Sequence, residues 1–319
     1  MKVTMGSIFH ASLLCVLGTN FMTGFAHANI QPSSKPTETS SVLSATPHSL
    51  NKNAPMERIV SAGGSVTEIL FALSYNQAVK PNIVAIDTSS SFPAAAQALP
   101  KVGYYRQLSV EGVLSAKPTR VFAAKGAGPA KVLEQLEQAG VAVLLFEQAK
   151  TVKGLMALID QIGTQAGLVD SAKQLLSTLQ SQLNKVQQHR LSTKIPVVFL
   201  MSASERGLMA AGSNTVPHLV MELAGLDNPF GNLEGFKTIS VESFLAIGPK
   251  KVLIAAHTTG GLSAQEMCRQ PALKLWAKVH GCNVHLVDPL LFLGMTPRLP
   301  QAVETLIQIV SPTKQDGAG

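Results

Sequence analysis

The sequence predicts an α/β protein of two similar lobes joined by one long helix, with a ligand cleft between the lobes. Three observations predict it. Short apolar strands alternate with helices in both halves of the chain, a wholly helical stretch separates the halves, and a segment of the first half recurs in the second. Strands that alternate with short helices pair in parallel, because each helix carries the chain back across the sheet.

The pattern opens at Arg58-Ile59-Val60, an apolar strand running into Ala62-Gly63-Gly64-Ser65, and Thr67 to Leu73 has helical spacing. A strand follows at Ile83 to Ile86, then a loop through Ser89-Ser90-Ser91-Phe92-Pro93. Strand Val121 to Ala124 precedes a helix from Pro129 to Ala139, which Gly140 stops at its C-terminal cap. Strand Val141 to Phe146 comes next. From Val152 to Arg190 the chain is helical, interrupted near Gly163 and Gly167, and Asp170 is placed to cap the second segment. That segment, at 1.5 Å per residue, spans ~30 Å and is long enough to bridge two lobes. Alternation then resumes with strand Val197 to Met201, helix Val216 to Ala224, strand Val252 to Ala256, helix Ala264 to Val279, strand Val284 to Val287 and helix Pro300 to Val310.

The expected organisation is a signal peptide at 1–28, a disordered linker at 29–56, a first lobe at 57–168, a connecting helix at 169–192 and a second lobe at 193–315. Residues 2–28 hold one charge, Lys2, then an apolar run from Ile8 to Phe25 that closes on Ala26-His27-Ala28, the small-x-small pattern of a cleaved signal. The strongly apolar part falls short of the ~20 residues a bilayer crossing needs. Cys15 follows Ser12-Leu13-Leu14, and the bulky Leu there argues against lipid attachment. From Asn29 to Met56 the Ser, Thr, Pro and Asn content is too polar to offset the entropy of ordering. After cleavage 25 Lys and Arg face 19 Asp and Glu, a charge of +6. The excess is spread out, with no run longer than Lys250-Lys251 or His189-Arg190 and no interleaved aromatics, so nucleic-acid binding is excluded. Thirteen residues lie between Cys268 and Cys282 in an oxidising compartment; the spacing permits a bridge and equally permits two separate thiols.

Leu108-Ser109-Val110-Glu111-Gly112-Val113-Leu114-Ser115-Ala116-Lys117-Pro118 aligns without gaps on Ile239-Ser240-Val241-Glu242-Ser243-Phe244-Leu245-Ala246-Ile247-Gly248-Pro249. In each copy the Ser is a helix N-cap, the Glu sits in the first turn where the dipole favours an acid, and the Pro ends the helix before a strand. A repeated α/β unit about one long helix gives two lobes facing a cleft, where ligands bind.

With these features the chain resembles the two-lobe binding proteins that serve ABC importers for cobalamin, siderophores and haem, built of Rossmann-like α/β lobes. Val102-Gly103-Tyr104-Tyr105-Arg106-Gln107-Leu108-Ser109-Val110-Glu111-Gly112-Val113-Leu114 is similar to the segment of their periplasmic hemin-binding members. Gly63-Gly64-Ser65-Val66-Thr67-Glu68-Ile69, Ala210-Ala211-Gly212-Ser213-Asn214-Thr215 and Leu293-Gly294-Met295-Thr296-Pro297-Arg298 match the same subfamily, and the likeness covers residues 57 to 312. It implies a monomeric periplasmic protein that carries haem to an inner-membrane permease with its ATPase. Tyr104 is then the iron ligand: a phenolate is a hard oxygen suited to ferric iron. A free phenol has a pKa of about 10. Arg106, two residues along an extended segment, points the same way as Tyr104 and favours its ionised form. Tyr105 faces away and packs.

In the second lobe His257 stands at the C-terminal end of a strand, the edge that faces a cleft. Met209 and Met295 suit an apolar wall, Arg298 suits a propionate or its own turn, and His218 reads as a surface or core histidine. Glu111 and Glu242 resemble the acids that dock such proteins onto permease arginines, against a plainer role in helix-dipole compensation. Cobalamin or a ferric siderophore is the alternative cargo; such sites use tryptophan and arginine clusters, and this chain has Trp276 alone. An enzyme is excluded by the lack of a Gly-x-Ser-x-Gly elbow, a Gly-Lys-Ser/Thr loop and a His-Glu-x-x-His helix. The eight His are too scattered for a zinc or manganese site.

Overall fold

The computed structural model describes residues 57–74, 80–204 and 207–311; the expected signal and linker lie outside them. The first lobe runs β1 (Ile59–Ala62), α1 (Gly64–Leu73), β2 (Ile83–Ile86), α2 (Ala94–Gln97), α3 (Val110–Leu114), β3 (Arg120–Ala124), α4 (Ala130–Gln138), β4 (Ala142–Phe146) and α5 (Val152–Gln165). Its four strands pair in parallel in the order β2-β1-β3-β4. The central strands β1 and β3 are covered on both faces, which is why they read as unbroken apolar runs: all four residues of β1 and the last four of β3 are buried. The edge strand β4 instead leaves Leu145 half exposed.

Helix α6 (Val169–Gln188) is 20 residues long. Leu179, Leu183 and Val186 recur at helical spacing and are buried on one face. Helices from both halves use α6 as a spine: α1 and α5 pack on it from the first, α7 (Val216–Ala224) and α12 (Leu299–Val310) from the second. Asp170 lies in its first turn, but Leu168 holds the cap position and no side chain caps the helix. The chain enters through Gly167 in the left-handed region, φ +69°, and that turn leaves Asp170 inside the helix.

The second lobe continues β5 (Val197–Ser204), β6 (Gly207–Ala211), α7, β7 (Phe236–Ile239), α8 (Val241–Ile247), β8 (Lys251–Ala255), α9 (Ala264–Arg269), α10 (Pro271–His280), β9 (Val284–Val287), α11 (Pro289–Leu293) and α12. Its sheet, ordered β7-β6-β5-β8-β9, is parallel across β5, β8 and β9 and antiparallel across β5, β6 and β7. The helix expected over Ala264 to Val279 is two helices, broken at Gln270 because Pro271 disfavours a helical residue before it. Trp276 is fully buried in α10 and donates its indole N–H to the Pro249 carbonyl at 2.9 Å. Cys268 and Cys282 form a disulfide with Cα atoms 5.8 Å apart, tying α9 to the start of β9. A loop of that size contributes ~3 kcal/mol in the chain-entropy model.

The two lobes meet closely at two places. A Cβ on Gly64, at the start of α1, would lie 2.6 Å from Leu290 Cδ1 on α11, so only glycine fits there. Glu68 on α1 and Arg298 before α12 form a bidentate pair, Nε to Oε1 at 2.9 Å and Nη2 to Oε2 at 2.8 Å, across 230 residues of chain. Both side chains are largely buried, and the guanidinium lies 3.7 Å from the Phe92 ring centroid.

Candidate functional site

The C-terminal edge of the first sheet carries Tyr104. Val102 N–H donates to the carbonyl of Ile86, the last residue of β2, at 2.9 Å, and Thr88 N–H donates to the Gly103 carbonyl at 2.9 Å. Gly103, at φ +97°, then turns the chain. Tyr104 remains extended and 41% exposed, while Tyr105–Gln107 wind into one 3₁₀ turn. Tyr105 is buried, and the Tyr104 ring meets it edge-on at 4.9 Å between centroids.

This 3₁₀ turn changes the expected placement of Arg106. The segment is not extended, so Arg106 does not run parallel to Tyr104; its Nε donates to the Tyr105 hydroxyl at 2.8 Å and its guanidinium lies 5.2 Å from that ring's centroid. Partial burial raises the Tyr104 phenol above its ordinary pKa, with Tyr105 adding to the rise, and the opposing pull of Arg106 does not cancel it. The free protein therefore carries Tyr104 as the phenol at neutral pH.

Beneath this turn is a buried carboxylate that the motifs gave no hint of. Asp87 follows β2, is 0% exposed and accepts five hydrogen bonds. Three come from fixed backbone N–H groups: Gly63 at 2.9 Å, Ser89 at 2.9 Å and Tyr105 at 3.3 Å. Two come from the hydroxyls of Ser89 and Ser90, both at 2.6 Å. An acid at the end of an apolar strand, followed by Thr88-Ser89-Ser90-Ser91, is the signal that could have found it.

The second lobe contributes less than its sequence promised. His257 is exposed on the 3₁₀ turn Ala256–Thr258 that follows β8. Met295 is not a wall residue: it is 3% exposed within the core, because the turn between α11 and α12 directs it inward. Arg298 is held by Glu68 rather than presented to an anion, and Asp288 adds a second carboxylate at 3.7 Å. Met209 is half-buried on β6, and His218 packs on α7 against Asn228 at 3.0 Å. Glu111 and Glu242 are both exposed in first turns whose N-caps, Ser109 and Ser240, accept from the backbone N–H three residues on at 3.0 and 3.1 Å. A separate cavity of ≈ 950 Å³ lies between α1, α6 and α12, and Tyr104 is not among its lining residues. Among the described residues no three His, Cys, Asp or Glu side chains converge on a possible metal site, and no helix is long and apolar enough to cross a membrane.

The profile of the periplasmic binding protein family matches residues 59–277. The chain belongs to that family. Similar solved structures include the periplasmic haem-binding protein HutB of Vibrio cholerae, 31% identical over 81% of this chain and all of that one, with a TM-score of 0.72. A periplasmic haem-binding protein from Pseudomonas aeruginosa is 31% identical over 79% of this chain and 91% of its own, TM-score 0.68. In sequence, the vitamin B12-binding protein of Vibrio campbellii is 24% identical over 69% of this chain and 79% of its own. A periplasmic binding protein works with an ABC permease and its ATPase and catalyses no reaction, so this chain is a substrate-binding component and not an enzyme.

Proposed function

We propose that this periplasmic binding protein, exported through its signal peptide and acting as a monomer, captures ferric haem in the cleft between its lobes. It then delivers the haem to an inner-membrane ABC permease. The observation that carries the reading is Tyr104, an exposed phenol on a braced turn at the C-terminal edge of the first sheet. Tyrosinate is an established axial ligand of ferric haem. The two haem-binding neighbours at 31% identity support the same cargo. Cobalamin, the ligand of the Vibrio campbellii relative, is less well served, since the one tryptophan is buried and bonded to Pro249 and cannot stack on a corrin.

The purified protein with hemin should show the high-spin ferric-tyrosinate spectrum, and Tyr104→Ala should abolish it. His257→Ala should leave it nearly intact. Tight binding of cyanocobalamin with no haem spectrum would overturn the assignment.

A further inference from the structure

We infer that Asp87 is the positioning residue for Tyr104, setting where the phenol stands by holding the backbone on its C-terminal side. The inference rests on the haem reading above and adds to it the group that preorganises the ligand. Tyr104 itself is fixed through its neighbours. The Gly103 carbonyl before it accepts from Thr88, the Tyr105 N–H after it donates to Asp87 Oδ2, and the Tyr105 carbonyl accepts from Gly128 at 3.0 Å. Asp87 also gathers the β1–α1 turn through Gly63 and its own loop through Ser89, so three chain segments meet on one side chain. Ser89 Oγ extends the grip to the Gly64 N–H at 3.2 Å, where α11 of the second lobe touches the first.

The hydroxyls around Asp87 have a single consistent direction. Each has one proton. Ser90 spends its proton on Asp87 Oδ1, so Thr67 must donate to Ser90 at 2.7 Å and Ser61 to Thr67 at 2.7 Å. Three buried dipoles thus line up toward the carboxylate, a chain that is cooperative and hard to rearrange. Neither carboxylate oxygen is left to serve the ligand directly. Asp87 acts through Tyr104, as the outer partners of metal ligands do, and removing such partners costs about 10–100-fold in affinity.

The test is hemin titration of the full mature protein and of Asp87→Ala, Asp87→Asn and Tyr104→Phe, far below each melting temperature, with resonance Raman spectra of the complexes. Asp87→Ala is expected to lose about tenfold or more in affinity and to broaden or lose the iron-tyrosinate bands. If Asp87→Ala does not fold, Asp87→Asn decides. Its single amide oxygen cannot hold three fixed N–H groups that two oxygens held, so a smaller loss and shifted bands are expected. Should Tyr104→Phe lose the bands while the folded Asp87 variants keep parental affinity and spectrum, Asp87 only supports the fold and this inference is wrong. If Tyr104→Phe binds hemin as the parent does, the haem reading is at fault and the inference falls with it.

Discussion

The segment repeated in the two lobes follows two different lead-ins. In the first lobe, Gly103 to Gln107 form the braced turn that carries Tyr104. In the second, the corresponding stretch becomes β7, an edge strand paired antiparallel to β6. The capped helix starts that follow match: Ser109 and Ser240 cap, Glu111 and Glu242 stand exposed, and Lys117 and Gly248 both take the left-handed conformation just before the proline, at φ 48° and 55°. Within the repeat, the acids that the two copies share face outward, and the lead-ins before them are what differ. On the proposed reading, a surface that docks both lobes onto a permease has to be duplicated, whereas a ligand to one iron does not.

The shared part should break first in transport. Replacing both Glu111 and Glu242 with Lys should all but abolish haem import or stimulation of the reconstituted ATPase, with hemin affinity and melting temperature nearly unchanged. Each single replacement should already impair import, and a double variant that imports at the parental rate would reduce the repeat to a capping device. Next is the tie between the lobes. Glu68→Gln removes the negative charge that faces Arg298, leaving it one amide oxygen, Asp288 at 3.7 Å and the Phe92 face. Breaking a buried pair from one side costs about 3–5 kcal/mol. The low end is expected here because Asp288 remains, and denaturant unfolding would measure it.

The lead-in that carries Tyr104 should also impose a pH dependence. Because burial raises the phenol's pKa, ferric haem has to displace a proton from it, and affinity should fall as pH falls, by about tenfold per unit where one proton is released. Arg106 favours the phenolate, so Arg106→Ala should raise that pKa further and weaken binding a few-fold below it, with the difference vanishing at alkaline pH. Hemin titrations across pH would show it. The smallest effect concerns the matched left-handed residues. Lysine pays for that conformation where glycine does not, so Lys117→Gly should raise stability by roughly 1 kcal/mol in thermal unfolding.

Most of the fold was legible because its strands and helices are bounded by local signals. Val216–Ala224 and Ile83–Ile86 match their expected limits, and the alternation around α6 gives two lobes. What escaped was nonlocal or depended on a single residue. The β6 and β7 strands are short and gain their structure by pairing with each other and β5. Pro271 split a helix whose apolar periodicity runs straight through. Within the site, Tyr104 was visible in its motif and so was the pull of Arg106 on its phenol, while the backbone between them was misjudged because a 3₁₀ turn replaced an extended segment. Arg298 and Met295 sit in a matching motif too, yet Glu68 and the core claim them. Asp87 has no motif at all, and Glu68 sits in the Gly63–Ile69 motif with no sign of its partner, since their roles exist only once distant segments meet.

The Glu68–Arg298 pair also sets a schedule. Glu68 is 2% exposed, and the cation that makes its burial tolerable comes 230 residues later. In a chain that emerges N-terminus first, Arg298 follows the whole of the first lobe, α6 and most of the second lobe. Until then, closing α1 into place would bury an unanswered negative charge, so the first lobe has a built-in reason to wait for the end of its own chain.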